Sequence, residues 1–127
     1  MRRTIVAALI VLILSLALGI AGTVAVNRAA DELQALRLGV ERDARLGNVA
    51  AARRGMGDIE AKWARWEGPL KLVVSHDALD EVRLAVADAG ICPGQDRRDD
   101  FFRASAAAAI AIERIRTAEA VRWENVW

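Results

Sequence analysis

The sequence predicts an all-α protein: an N-terminal transmembrane helix that continues into a small antiparallel helical bundle. Three observations predict it. Residues 5–26 form a run of 22, of which 18 are apolar and none is charged. Beyond that run Ala, Leu, Arg and Glu dominate, all good helix formers, and β-branched residues are sparse. Apolar side chains there recur at steps of three and four, the spacing that lines one face of a helix, and nowhere alternate with period two for long.

The apolar run comes first. At about 1.5 Å per residue it makes a helix of roughly 33 Å, matching the ~30 Å hydrocarbon core of a bilayer. It has to be helical, because lipid offers no partner for free backbone N–H and C=O groups. Arg2 and Arg3 precede it, so the positive-inside rule puts that end in the cytoplasm and Asn27 onward outside, with Arg28, Asp31 and Glu32 closing the far side. The competing reading is a cleaved signal peptide, with Thr23-Val24-Ala25 as a small-residue cleavage site. The run exceeds the ~7–15 apolar residues of a signal peptide, which favours an uncleaved anchor. Ser15, Gly19 and Thr23 recur every fourth residue, and small residues so spaced let two membrane helices approach closely. The chain therefore divides into an anchor, residues 1–26, and an extracytoplasmic bundle, residues 27–127.

The anchor helix is expected to continue through Ala29, Leu33, Leu36 and Val40. It ends at Leu46-Gly47-Asn48, where Gly47 can turn left-handed and Asn48 can cap the next helix. The second helix has the most regular seam: Val49, Ala52, Met56, Ile59, Trp63, Trp66, Leu70 and Val73 alternate steps of three and four. Gly68-Pro69 falls inside it, and because the phase survives across the proline, a kink or short restart is favoured over a reversal. Ser75-His76-Asp77 is a firmer boundary, with Asp77 placed to cap a third helix whose inner face is Leu79, Val82, Val86 and Ala89. Residues 90–94, with two glycines and a proline, read as a loop. Asp96 can cap the last helix, with Asp99 and Asp100 in its first turn. Phe101, Ser105, Ala108, Ile112 and Ile115 share one face, the alanines at 106–109 permit close approach, and Arg114 and Arg116 suit the C-terminal end of the dipole.

Four helices in up-down order put the Gly47 turn and the 90–94 loop far from the membrane. The Ser75-His76 turn and the segment Trp123 to Trp127 return toward it. All four tryptophans (Trp63, Trp66, Trp123 and Trp127) then lie low on descending helices, where an interfacial role competes with simple core packing. Trp63 sits on the seam and reads as core; Trp127 is open to an interface or partner contact.

Little in the chain suggests chemistry. Setting aside Arg2 and Arg3, the part after residue 26 carries 16 basic and 17 acidic side chains, too balanced for a phosphate backbone. The single cysteine, Cys92, excludes an internal disulfide, and nothing around it in the sequence marks it as an activated nucleophile. His76 and Asp80 share a helix face, but two ligands do not make a metal site, and a turn histidine beside acids is the commoner arrangement. Arg53-Arg54 and Arg97-Arg98 read as solvated faces. Asp99 and Asp100 read as dipole partners rather than an acid–base pair. There is no glycine-rich phosphate loop.

Several motifs together resemble a known family. Lys62-Trp63 leads into an apolar seam, His76-x-x-Leu79-Asp80-x-Val82 follows, and Glu119-x-x-x-Trp123-Glu124-Asn125-Val126-Trp127 closes the chain. With the basic start and apolar span, these make the chain similar to the short bacterial single-pass proteins grouped as domain of unknown function 4363. The chain departs from them in being rich in Ala and Arg, and in carrying Gly68-Pro69 within the seam. The resemblance implies a helical envelope protein without known catalysis, and singles out Trp63, His76 and Asn125 without assigning them roles. The expectation is a non-enzymatic accessory subunit, without cofactor or metal, held in the cell membrane and docked on another membrane protein or on itself. The alternative is a sensory module of the envelope that binds a ligand or peptide between its helices.

Overall fold

A computed structural model describes residues 1–91 and 97–126, with side chains described as far as Thr117. It consists of four helices among the described residues, with no strand among them: α1 Arg2–Arg45, α2 Val49–Leu70, α3 His76–Ile91 and α4 Arg98–Val126. Each packs on its chain neighbour, and α4 closes the ring against α1. The order is antiparallel throughout. Arg98 at the start of α4 donates to the Arg45 carbonyl at the end of α1, while Arg116, farther along α4, pairs with Asp31, farther back on α1.

Helix α1 has 44 residues and passes from the apolar run into the bundle without a break. It is long and apolar enough to cross a membrane by length and composition. Ile5, Leu9, Ile13, Leu14 and Leu18 are exposed along it. The packed part begins at Gly22 and continues through Val26, Ala29, Ala30, Leu33 and Val40, so the bundle reaches back across residue 26 into the apolar run. The turn after α1 forms as the sequence predicts. Gly47 has φ +76°, the Gly47 N–H bonds the Ala44 carbonyl, and the Asn48 N–H bonds the Asp43 carbonyl, which satisfies two carbonyls of the final turn. The Asn48 side chain then accepts from the Ala51 N–H at 3.2 Å and caps α2.

The core follows the predicted faces. Leu33 from α1, Leu70 from α2, Leu79 and Val82 from α3, and Phe101, Ile112 and Ile115 from α4 are almost wholly enclosed. Each large side chain so buried stabilises the fold by about 1.5–3 kcal/mol. Phe101 meets Phe102 edge-on at 5.5 Å, and the Arg45 and Arg98 guanidiniums lie over the Phe102 ring.

Five local expectations need correction. Helix α2 does not restart after Gly68-Pro69; it carries Pro69 as its penultimate residue and ends at Leu70. It then unwinds through bonds from the Leu72 N–H to the Pro69 carbonyl and from the Val74 N–H to the Leu70 carbonyl. Proline's missing N–H and its crowding fall on the turn before it, and only Leu70 follows within α2, so little of the helix lies beyond the disturbance. The cap of α3 is Ser75, whose hydroxyl accepts from the Ala78 N–H, and Asp77 lies inside the first turn. Gly90 and Ile91 belong to α3 rather than to a loop, and the rest of that loop, with Cys92 and the Asp96 cap, lies outside the described residues. Arg114 and Arg116 are not at a helix end, because α4 continues to Val126; they pair across helices with Glu81 and Asp31. Of the alanine run 106–109, Ala108 is buried and Ala109 half-buried, while Ala106 and Ala107 face outward.

Candidate functional site

The sequence-predicted residues separate into three places. Ser15, Gly19 and Thr23 lie along α1, but the face that packs on the bundle passes beside them, through Gly22 and Val26. Gly19 is half covered, and Ser15 and Thr23 are exposed. Trp63 is buried in the core, as its seam position predicts, and its indole N–H has no partner among the described residues. Trp66, one turn on, is half-buried and donates to Glu32 Oε2 at 2.8 Å. His76 is exposed at the first residue of α3. Trp123 and Asn125 lie in the last turns of α4, with their side chains outside the described residues, as is Trp127 altogether.

Two polar arrangements join the helices. On the α1–α2 side, Glu32 accepts from Trp66, and Lys62 Nζ stands 3.6 Å from the same carboxylate. The Trp66 hydrogen bond chiefly, with the Lys62 and Arg28 charges, holds the Glu32 carboxyl below the ordinary carboxylate range against the opposing effect of partial burial. On the α1–α4 side, Arg37 donates to Glu41 at 2.8 Å and to Gln34 at 2.6 Å. The enclosed Ser105 hydroxyl donates to the same Glu41 oxygen at 2.7 Å, and Gln34 reaches the Ala109 carbonyl at 3.0 Å. These residues fix the height of α4 on α1. Of these, Ser105 falls on the predicted inner face of α4, and the sequence carries a signal for the others: Gln34, Arg37 and Glu41 each follow by one the apolar stripe positions Leu33, Leu36 and Val40.

Beneath this polar seam, lined by Leu33, Met56, Val86, Phe101, Ser105 and Ile112 among others, lies a cavity of about 10 Å³. That is room for about one water molecule. No three His, Cys, Asp or Glu side chains converge to hold a metal ion among the described residues. The chemical capacity of the arrangement is packing and registration: it fixes an apolar rod to a small helical body. No protein-family model, no curated protein and no solved structure matches the chain.

Proposed function

We propose that the protein is a single-pass, membrane-anchored accessory subunit that docks its helical body onto another membrane protein. In this reading Arg2 and Arg3 lie on the cytoplasmic side and the bundle lies outside. The observation that carries it is the continuity of α1, which leaves no linker between the exposed apolar part and the packed part. A body tethered by a flexible linker would sample many orientations; one built on the same helix as its anchor presents fixed faces at a fixed height.

The packing around the candidate cleavage site Thr23-Val24-Ala25 points the same way. Val26 is fully enclosed and Gly22 is buried, so a cut after Ala25 would fall inside the packed part of α1. The cavity lined by Leu33, Met56, Phe101 and Ile112 is the size of one water, so a ligand there would have to open the packing around it.

Crosslinking in intact cells, followed by purification in mild detergent and mass spectrometry, tests the proposal. A defined membrane-protein partner, lost when Gly19 is replaced by a bulky residue, is the expected result. Recovery of the full-length chain from the aqueous fraction without detergent overturns it.

A further inference from the structure

We infer that the base of the bundle, formed around the turn at residues 71–74, is seated in the lipid headgroup layer, with Leu72 as its apolar anchor. The inference rests on the membrane reading above and adds a second contact with lipid, made by the body itself.

Three chain segments come to one level. Trp66 bonds Glu32, and Gly55 abuts Val40, so descending α2 by one turn means going back along α1 by one turn. That register puts Leu70 beside Val26 and the 71–74 turn beside residues 22–25. On the other side Arg116 pairs with Asp31, and α4 continues ten residues further, to Val126, which brings its backbone end level with Ala21.

That level is where a bilayer boundary falls. The part of the apolar run that the bundle leaves free, residues 5–21, is about 26 Å long as a helix. A hydrocarbon core of about 30 Å is longer, so the boundary lies at or above Gly22, at the height of the turn. Tilting the helix shortens its reach and sinks the base further.

The composition of the turn fits that place. Residues 68–74 read Gly-Pro-Leu-Lys-Leu-Val-Val, with a single charge. Leu72 is 82% exposed, and Val24, at its level on α1, is 56% exposed, so the turn and the rod both present apolar surface at this height. Lys71, also exposed, can extend its ammonium to the phosphates while its stem stays in the apolar layer. The opposite end provides the contrast. Leu46 is 76% exposed at the distal turn, but it stands among Arg42, Arg45 and Asn48.

The test is site-specific labelling of the full chain, with Cys92→Ser, in vesicles of mixed phosphatidylcholine and phosphatidylglycerol. Single cysteines are placed by Leu72→Cys, Leu46→Cys and Ile13→Cys, and each carries a polarity-sensitive fluorophore. Brominated lipid should quench the label at residue 72 at least about twofold more than the label at residue 46, as an interfacial position requires. The label at residue 13 should be quenched most. Quenching at 13 with residue 72 open to aqueous iodide overturns the inference and leaves the anchor standing. A label at 72 shielded from both quenchers means that protein covers the turn, and also overturns it. Iodide access at both 13 and 72 overturns the membrane reading itself.

Discussion

Gly55 on α2 and Val40 on α1 approach so closely that a Cβ built on Gly55 would lie 2.5 Å from Val40 Cγ2. Two residues along, Gly57 is exposed and has nothing within 4 Å of its own Cβ position. Both are helix-interior glycines, so both pay the same backbone entropy, and alanine relieves each by up to about 1 kcal/mol. Only Gly55→Ala must also push a stiff β-branched side chain off its rotamer, at a cost of about 1–3 kcal/mol. The two substitutions should therefore have opposite signs: Gly57→Ala raises the Tm and Gly55→Ala lowers it. Adding Val40→Ala to Gly55→Ala should cost less than the two single changes summed, and thermal unfolding of the double-mutant cycle reads that coupling. Additive effects would mean that the helices do not meet at this point.

The Glu32–Trp66 hydrogen bond makes stability depend on acid. Trp66, then the charges of Lys62 and Arg28, hold the Glu32 carboxyl below its ordinary range, whereas an unfolded chain restores the ordinary value. A carboxyl depressed in the folded state contributes stability that is present above its unfolded pKa and disappears as pH falls through the folded one. Glu32→Gln should thus lower the Tm at neutral pH, and the gap to the parent should close as pH falls below the ordinary carboxylate range. Trp66→Phe should shrink that pH-dependent part. A gap independent of pH would assign the loss to packing alone.

The features readable in advance were those set by local rules. Steps of three and four fix which side of each helix is apolar whatever it packs against, so Leu79, Val82, Val86 and Ala89, or Phe101, Ser105, Ala108, Ile112 and Ile115, could be placed without knowing the neighbour. Gly47 and Asn48 were legible because a left-handed turn and a cap require particular residue types. Ser75 and Asp77 show the limit of such rules: both are good capping residues two positions apart, and only the path of the chain out of α2 selects the serine. Arg114 and Arg116 show another. Their partners, Glu81 and Asp31, are set by the register between helices, which the spacing within one helix does not encode. The Trp66–Glu32 bond and the Ser105–Glu41 bond were hidden for the same reason, joining residues that are 34 and 64 positions apart.

Glu41 accepts from both Arg37 and Ser105, and these side chains are largely enclosed between α1 and α4. Removing an acceptor of this kind leaves a guanidinium and a hydroxyl short of a partner. Glu41→Ala should cost roughly 2–3 kcal/mol, less than a fully buried pair because the seam keeps some solvent access. Ser105→Ala removes only one donor and should cost about 1 kcal/mol. Replacing both charges, Arg37→Met with Glu41→Leu, should restore much of what Glu41→Ala loses, since no charge is then left unpaired. Denaturant unfolding of the parent and these three variants measures the order, and a double replacement weaker than Glu41→Ala would show that the pair contributes more than its removal penalty.

Ala25 and Val26 adjoin a site at which a leader peptidase would find small residues, and a cut there would fall within the packed part of α1. Val26 is fully enclosed between the helices, and cleavage before it would place a new charged amino terminus in the core. An ionised group moved from water into such surroundings costs several kcal/mol even after relaxation. Cleavage would also remove Gly22 and the turn of α1 against which the base of the bundle packs. The protein extracted from membranes should therefore have the intact mass of the whole chain. A mass smaller by the 25 residues that precede Val26 would mean that the bundle forms without Gly22, and that the apolar run serves export rather than attachment.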